Sequence, residues 1–306
     1  MNAPTSVPPF ENQRASGQNI LLPSIAKGRL RRTVLLEVNS RDRNIRSYPT
    51  ATEFRWKLFR PLKDVLSIQI VGGTIPTRFF NIDSGWNKFT FLETSTRYTI
   101  TLTPGCYTTA QMVSELAARF NDLSGTTTNK YTFSISPLTD CITMTRTTSN
   151  KNFSLLFSSG DFVDLYDNNK SLNMMNSPAK MLGFAAADYS NNPFADLSGT
   201  IVSPFAADAN FLTNRMYLYI NQENNQDIAT VERSVGKKSP YSIIYMDQTS
   251  PYKTFTQESF EPFFQATPAP IARLTTLTIS LRDEFDRILN FNGRDFTLLL
   301  EFVYLE

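Results

Sequence analysis

Along most of the chain apolar and polar residues alternate with a period of two, in short stretches closed by turn residues, and this pattern predicts β-strands. TVLLEVNS (33–40) is the first of them. After the polar turn SRDRNIRSYPTAT (40–52), EFRWKLF (53–59) sets Phe54, Trp56 and Leu58 on one face against Arg55 and Lys57 on the other, as a half-buried strand does. DVLSIQIVGGTIP (64–76), KFTFLE (88–93) and RYTITLTPG (97–105) follow as separate strands. The period then changes. In TTAQMVSELAARFND (108–122), Met112, Val113, Leu116, Ala117 and Phe120 recur at helical spacing, with Thr108 as the candidate N-cap behind Pro104 and Gly105. The apolar stripe of this helix should lie on a sheet.

Strands resume with KYTFSIS (130–136), CITMTRT (141–147) and NFSLLFS (152–158). DLYDNNKSLNMMNSPAK (164–180) reads as loop and MLGF (181–184) as a compact piece. Residues 185–210, rich in Ala, Asp, Asn, Ser and Pro without a clear period, read as a long loop on the outside. RMYLYIN (215–221) is a strand, and the polar, turn-rich residues 222–240 are expected to protrude. IIYMD (243–247), IARLTTLTISLRD (271–283) and RDFTLLLEFVYLE (294–306) complete the series. The last two are joined by EFDRILNFNG (284–293), where Asn292-Gly293 favours a tight antiparallel connection. The final strand reaches the last residue, so the C-terminus is expected to be paired in the sheet and intolerant of truncation.

Roughly a dozen strands, one short helix around 108–122, long surface loops and no βαβ alternation predict a mainly β fold. The expected architecture is an antiparallel β-sandwich, with the jelly roll as the favoured member of that class. Residues 1–28 carry Pro4, Pro8, Pro9 and Pro23 among Ser, Asn and Gln. They are expected to form an extended arm that orders only against a neighbour. Residues 29–306 are then one jelly-roll domain with insertions near 185–210 and 222–240. Lys27, Arg29, Arg31 and Arg32 make a basic entry to the first strand, the last three either projecting from one face or forming a plain solvated strand start.

Composition narrows the function. With 41% hydrophobic and only 19% charged residues the chain can bury a core, and disorder throughout is excluded. Thirty basic and 28 acidic residues leave a net charge of +2, which gives no general attraction to nucleic acid or anionic membrane, and no nucleic-acid readout is expected. Histidine is absent, which removes the usual proton-transfer side chain and the commonest transition-metal ligand and argues against an enzyme. Cys106 and Cys141 cannot make a zinc site alone or a disulfide framework, and read as two buried free thiols of a reducing compartment. The N-terminus has no basic stretch leading into an apolar run, and no segment approaches ~20 apolar residues, so neither a signal peptide nor a membrane span is expected.

Four groupings invite a chemical reading. Asp161, Asp164 and Asp167 fall three apart and could offer carboxylates to calcium, yet they lack the Gly and Glu of a calcium loop, and a polar loop is favoured. RDEFDR (282–287) resembles a carboxylate dyad but is better explained as a salt-bridged turn. VGG (71–73) lacks the Lys and the spacing of a phosphate loop and suits a turn or bulge. Phe255, Phe260, Phe263 and Phe264, interleaved with Pro251, Pro262, Pro268 and Pro270, are hard to place in a core because proline interrupts a ladder. They form either an interface segment packing on an adjacent subunit or a core loop.

Several blocks, in order, resemble the jelly-roll penton and minor capsid proteins of nucleocytoplasmic large DNA viruses. They are VNSRDRN (38–44) with YPTATEFRWKL (48–58), PLKDVLSIQIVGGTIP (61–76), FNID (80–83), YTITLTPGCYTTAQMVSELAARFN (98–121), MLGF (181–184) and LTTLTISLRDEFDRILNFNGRDFTLLLEF (274–302). The resemblance implies a jelly roll without catalysis or cofactor that assembles into an icosahedral shell around an internal membrane. It implies a virion location with assembly in the host cytoplasm. Its partners would be copies of itself, most simply a pentamer, together with the major capsid protein and other minor capsid proteins.

Within the first block, Asn39, Ser40, Asp42 and Asn44 can bond their own backbone, while Arg41 and Arg43 can bridge carboxylates or carbonyls. Together they would fix a corner between strands, or make a plain polar turn. Besides the penton, a minor capsid or cementing protein remains open. So do a carbohydrate-binding β-sandwich stacking sugars on Trp56 or Trp86, and a hydrolase working through Asp283, Glu284 or Asp286.

Overall fold

Period-two alternation becomes strand pairing throughout, and every ladder between named strands is antiparallel. The computed structural model describes residues 29–123, 131–147, 152–166, 172–191, 199–222, 239–246, 250–256 and 265–306. The arm 1–28, most of the 222–240 region, Asp167, and Phe260, Phe263 and Phe264 lie outside the described residues.

The strands are β1 (Arg31–Asn39), β2 (Glu53–Pro76), β3 (Lys88–Glu93) and β4 (Thr96–Thr101), then the helix α1 (Thr109–Asp122). After it come β5 (Tyr131–Ile135), β6 (Ile142–Arg146), β7 (Phe153–Leu156), β8 (Leu165–Tyr166), β9 (Leu172–Met174), β10 (Asp188–Ser190) and β11 (Thr200–Val202). β12 (Arg215–Gln222), β13 (Ser242–Tyr245), β14 (Tyr252–Thr256), β15 (Gln265–Arg282) and β16 (Thr297–Leu305) complete the chain. The largest sheet has the order β1-β16-β2-β15-β12-β13, with β14 also on β2. Smaller sheets have the orders β10-β7-β3-β4 and β11-β6-β5, and β8 pairs with β9. The fold is mainly β with one helix, its large sheet curled toward a half-barrel, in keeping with the expected jelly-roll sandwich.

β2 explains the curl. The sequence splits this stretch into two strands at Pro61, but the chain runs through as one. Lys57 pairs with Thr276 and Leu62 with Leu274, so residues 58–61 stand opposite Thr275 alone. Proline, lacking an N–H, is accommodated where the ladder is already interrupted. Asp64 then takes a left-handed φ of 47°, and Val71 is skipped between Ile70 paired with Leu300 and Gly72 paired with Leu299. Each irregularity bends the strand and raises its twist. The VGG glycines therefore flank a bulge rather than a phosphate loop.

Other expectations need correction. Asn292 and Gly293 do turn the chain, at φ 53° and 77°, but β15 and β16 flank β2 instead of pairing with each other. A turn dipeptide fixes a local reversal, not which strands become neighbours. The described parts of the 185–210 stretch, 185–191 and 199–210, are not a loop left outside, since they contribute β10 and β11 and bury Ile201, Ala207 and Ala209. The loop-like 164–180 contains the β8–β9 pair. Phe255 lies in a strand, β14, in register with Gly73, and the ladder that Pro268 and Pro270 interrupt simply shifts register between Ala266 and Ile271. Neither thiol is fully buried: Cys106 is exposed and Cys141 intermediate.

Buried apolar residues form two large clusters. The first lines the curled sheet and includes Phe54, Ile68, Leu218, Tyr241, Leu277 and Phe302. The second gathers the smaller sheets under α1, whose Met112, Val113, Leu116 and Phe120 are buried as its stripe demands. Phe91 is its hub, with ring centroids 4.8 Å from Phe120, 5.3 Å from Tyr131 and 6.2 Å from Phe153. Thr108 caps α1 in a reciprocal box: its hydroxyl accepts from Gln111 N at 3.3 Å, and Gln111 Oε1 accepts from Thr108 N at 2.9 Å.

Candidate functional site

Three places combine buried polar chemistry or open surface with the blocks singled out above. The first is the NSRDR corner after β1. Asn39 Oδ1 accepts from Arg41 N at 3.0 Å and opens a single 3-10 turn over Ser40–Asp42. Arg43, whose side chain is only 8% exposed, donates through Nη1 to Ser40 O and to Asp295 Oδ1, both at 2.7 Å, and through Nε to Tyr48 O at 3.1 Å. Ser40 Oγ donates to Asp295 Oδ1 at 2.8 Å and accepts from Phe296 N at 2.9 Å. The corner is thus locked to the approach to β16. Arg41 reaches Asp295 at 3.5 Å from a side chain that is 76% exposed, and Asp42 makes no side-chain bond among the described residues.

The second place borders the second core. Asn81, buried in the FNID block, donates through Nδ2 to Tyr107 O at 2.7 Å and Ala209 O at 2.8 Å, and its Oδ1 accepts from Tyr107 N at 2.9 Å. Its carbonyl accepts from Trp86 Nε1 at 2.9 Å. The Arg287 guanidinium stacks 3.5 Å from the centre of the Trp86 ring, donates through Nε to Asp283 Oδ2 at 2.7 Å and through Nη1 to Met175 O at 3.1 Å. Asp283 is 2% exposed, and its Oδ1 accepts from Phe285 N and Arg287 N. RDEFDR is therefore a salt-bridged turn.

That packing also bears on the two alternative readings. Trp86 is buried under Arg287 and has no open face for a sugar, and Trp56 packs half-buried on the first core. Glu284 pairs with Arg215 at 2.5 Å and Asp286 Oδ1 accepts from Tyr219 Oη at 2.6 Å, so the three acids of the turn hold separate partners instead of facing one another. Sequence reasoning missed Asn81 and Asp295. A lone Asn or Asp in a loop looks the same whether solvated or holding two segments together.

Asp164 carries a testable electrostatic consequence. Its Oδ1 accepts from Asn176 N and Ser177 N, both at 2.8 Å, while Oδ2 is buried without a partner. Burial pushes this carboxyl above the usual aspartate range, against the opposing pull of those two N–H groups and of Arg287. A folded-state pKa above the unfolded one gives stability that is fully present below the ordinary aspartate value and is lost as pH rises through the folded value. Asp164→Asn keeps an acceptor for both N–H groups and removes the charge. In urea unfolding the variant is expected to be at least as stable as the native chain at pH 7, with the advantage shrinking toward pH 4. A midpoint difference that stays constant with pH would contradict this.

The third place is the open rim of the large sheet. Among the described residues β1 pairs only with β16, and β13 only with β12, leaving one open edge at each end. Leu30 and Leu35 are exposed at the β1 end and Tyr245 at the β13 end. Phe59 stands fully in solvent at the β2 irregularity. No group of three His, Cys, Asp or Glu side chains is poised to hold a metal among the described residues, and no helix there is long and apolar enough to cross a membrane.

The family described as "Family of unknown function (DUF5901)" matches residues 24–244. No curated protein matches the chain. Among solved structures, the crystal structure of the selenomethionine-labelled penton protein of mavirus is similar, with 13% sequence identity and a TM-score of 0.40, covering 89% of this chain and 99% of that one.

Proposed function

The chain belongs to the DUF5901 family of unknown function, and we propose that it is a structural capsid protein without catalytic activity, the penton subunit at the vertices of an icosahedral large DNA virus. The observation that carries this reading is the pair of open edges that β1 and β13 present, among the described residues, at the two ends of one curled sheet. A closed five-fold ring is built head to tail, so each copy needs two different, complementary patches. Open edges at opposite ends of one sheet are such patches, and strand-to-strand addition joins them through main-chain hydrogen bonds. Exposed apolar side chains at both ends, Leu35 and Tyr245, add a contact that a monomer would leave in water. The blocks by which the sequence resembles penton and minor capsid proteins serve the same end, because the NSRDR corner fixes the end of β1 rigidly against β16.

Sedimentation of the purified full chain tests this. A particle of five chains is expected, and Leu35→Lys, a substitution at an exposed site, is expected to weaken association by about 2 kcal/mol while leaving circular dichroism unchanged. A native chain that stays single and joins only other shell proteins would favour the minor capsid role. Assembly unaffected by Leu35→Lys would remove β1 from the interface.

A further inference from the structure

Segments far apart in sequence meet around one open cavity of about 550 Å³, a volume within the range that small-molecule sites occupy. Arg78 enters from the segment after β2, Cys106 and Tyr107 from the run into α1, Asn210 from the turn before β12, and Asn292 and Arg294 from the β15–β16 connection. The cavity is built, not incidental. Buried Asn81 pins the Tyr107 and Ala209 backbones together beneath it through the three bonds already described. The left-handed pair Asn292 and Gly293 reverses the chain, closed by Arg294 N donating to Phe291 O at 3.2 Å, and carries Arg294 back until its Nη1 lies 3.5 Å from Arg78 O.

The charge of this lining is one-sided. Among the described residues it contains two guanidinium groups and no carboxylate. Arg43, Arg119, Arg215, Arg282 and Arg287 each face an acid elsewhere, whereas no acid stands at ion-pair distance from Arg78 or Arg294 among the described residues. Two like charges sharing one hollow repel, and a multivalent oxyanion relieves that repulsion while giving each planar fork two oxygens to bind. Cys106 does not turn the cavity into a reactive site. Cys106 is open to solvent on one side, but partial burial against the cavity wall raises its thiol above the usual range, the two arginines oppose this only in part, and at neutral pH it remains the protonated, weakly nucleophilic form.

We propose that this cavity binds a small phosphorylated anion, held between Arg78 and Arg294. The site is independent of the sheet edges and does not require the chain to be a capsid subunit.

Pyrophosphate is the probe, titrated by calorimetry into the full chain. Saturable binding at one site is expected, and Arg78→Gln and Arg294→Gln, both exposed positions, are each expected to weaken it about tenfold. In a Cys141→Ser background, where Cys106 is the remaining thiol, saturating pyrophosphate is expected to slow alkylation by iodoacetamide several-fold. Three results would overturn the proposal: no saturable heat with the native chain, equal affinity in both arginine variants, or binding that leaves Cys106 alkylation unchanged. Equal affinity for inorganic sulfate would show a general anion patch and would overturn it as well.

Discussion

Arg287→Ala is expected to destabilise the protein by about 3–5 kcal/mol in urea unfolding at neutral pH, the largest single effect foreseen for a polar side chain here. The reason is what the substitution leaves behind. Asp283 is 2% exposed, and its carboxylate would lose the guanidinium that balances it. Met175 O would lose a donor and the Trp86 ring its covering plane, so one change loosens two contacts of the second core. Because the cost is that of an orphaned charge, Asp283→Asn introduced together with Arg287→Leu is expected to recover part of the loss, and a double-variant cycle measures that coupling. Additive losses would mean that the pair does not act as a unit.

The NSRDR corner separates two arginines that the sequence presents alike. Arg43→Ala is expected to cost about 3 kcal/mol, since a nearly buried guanidinium bonds Asp295 and two backbone carbonyls there. Arg41→Ala is expected to cost no more than about 0.5 kcal/mol, because its side chain is mostly in water and sits 3.5 Å from the same carboxylate. Arg43→Lys keeps the charge but not the fork and should fall between native and alanine. Chemical denaturation of the three variants checks the order. Equal losses at positions 41 and 43 would show that the corner is not organised around Arg43.

The comparison between the two arginines shows where sequence reading stops. Exposure and partner decide which arginine matters, and the partner, Asp295, lies some 250 residues along the chain. Local signals were legible wherever the physics is local. The helical stripe and the Thr108 cap predict α1 to within a residue, and period-two alternation predicts β1, β3, β5, β6, β12 and β16.

Non-local features were not legible. Pro61 looks like the end of a strand, yet a four-residue irregularity absorbs it inside β2. Asn292-Gly293 looks like a hairpin tip, yet the strands it separates lie on either side of a third. Residues 185–210 look like surface loop because Ala and Ser carry no amphipathic period, yet Ala207 and Ala209 are buried in the second core, and Ala209 N donates to Thr109 Oγ1 at the start of α1. The cavity between Arg78 and Arg294 depends on the same long-range closure, and no spacing in the chain announces it.

The claim on which the proposed role rests is that the open ends of the large sheet join copies of the chain into a ring. Electron-microscopic class averages of the purified 306-residue chain test it most directly. Five-fold rings of the 34.7 kDa chain are expected, with β1 of each copy against β13 of the next. Particles of a single chain, or two-fold dimers joined through another face, would contradict it.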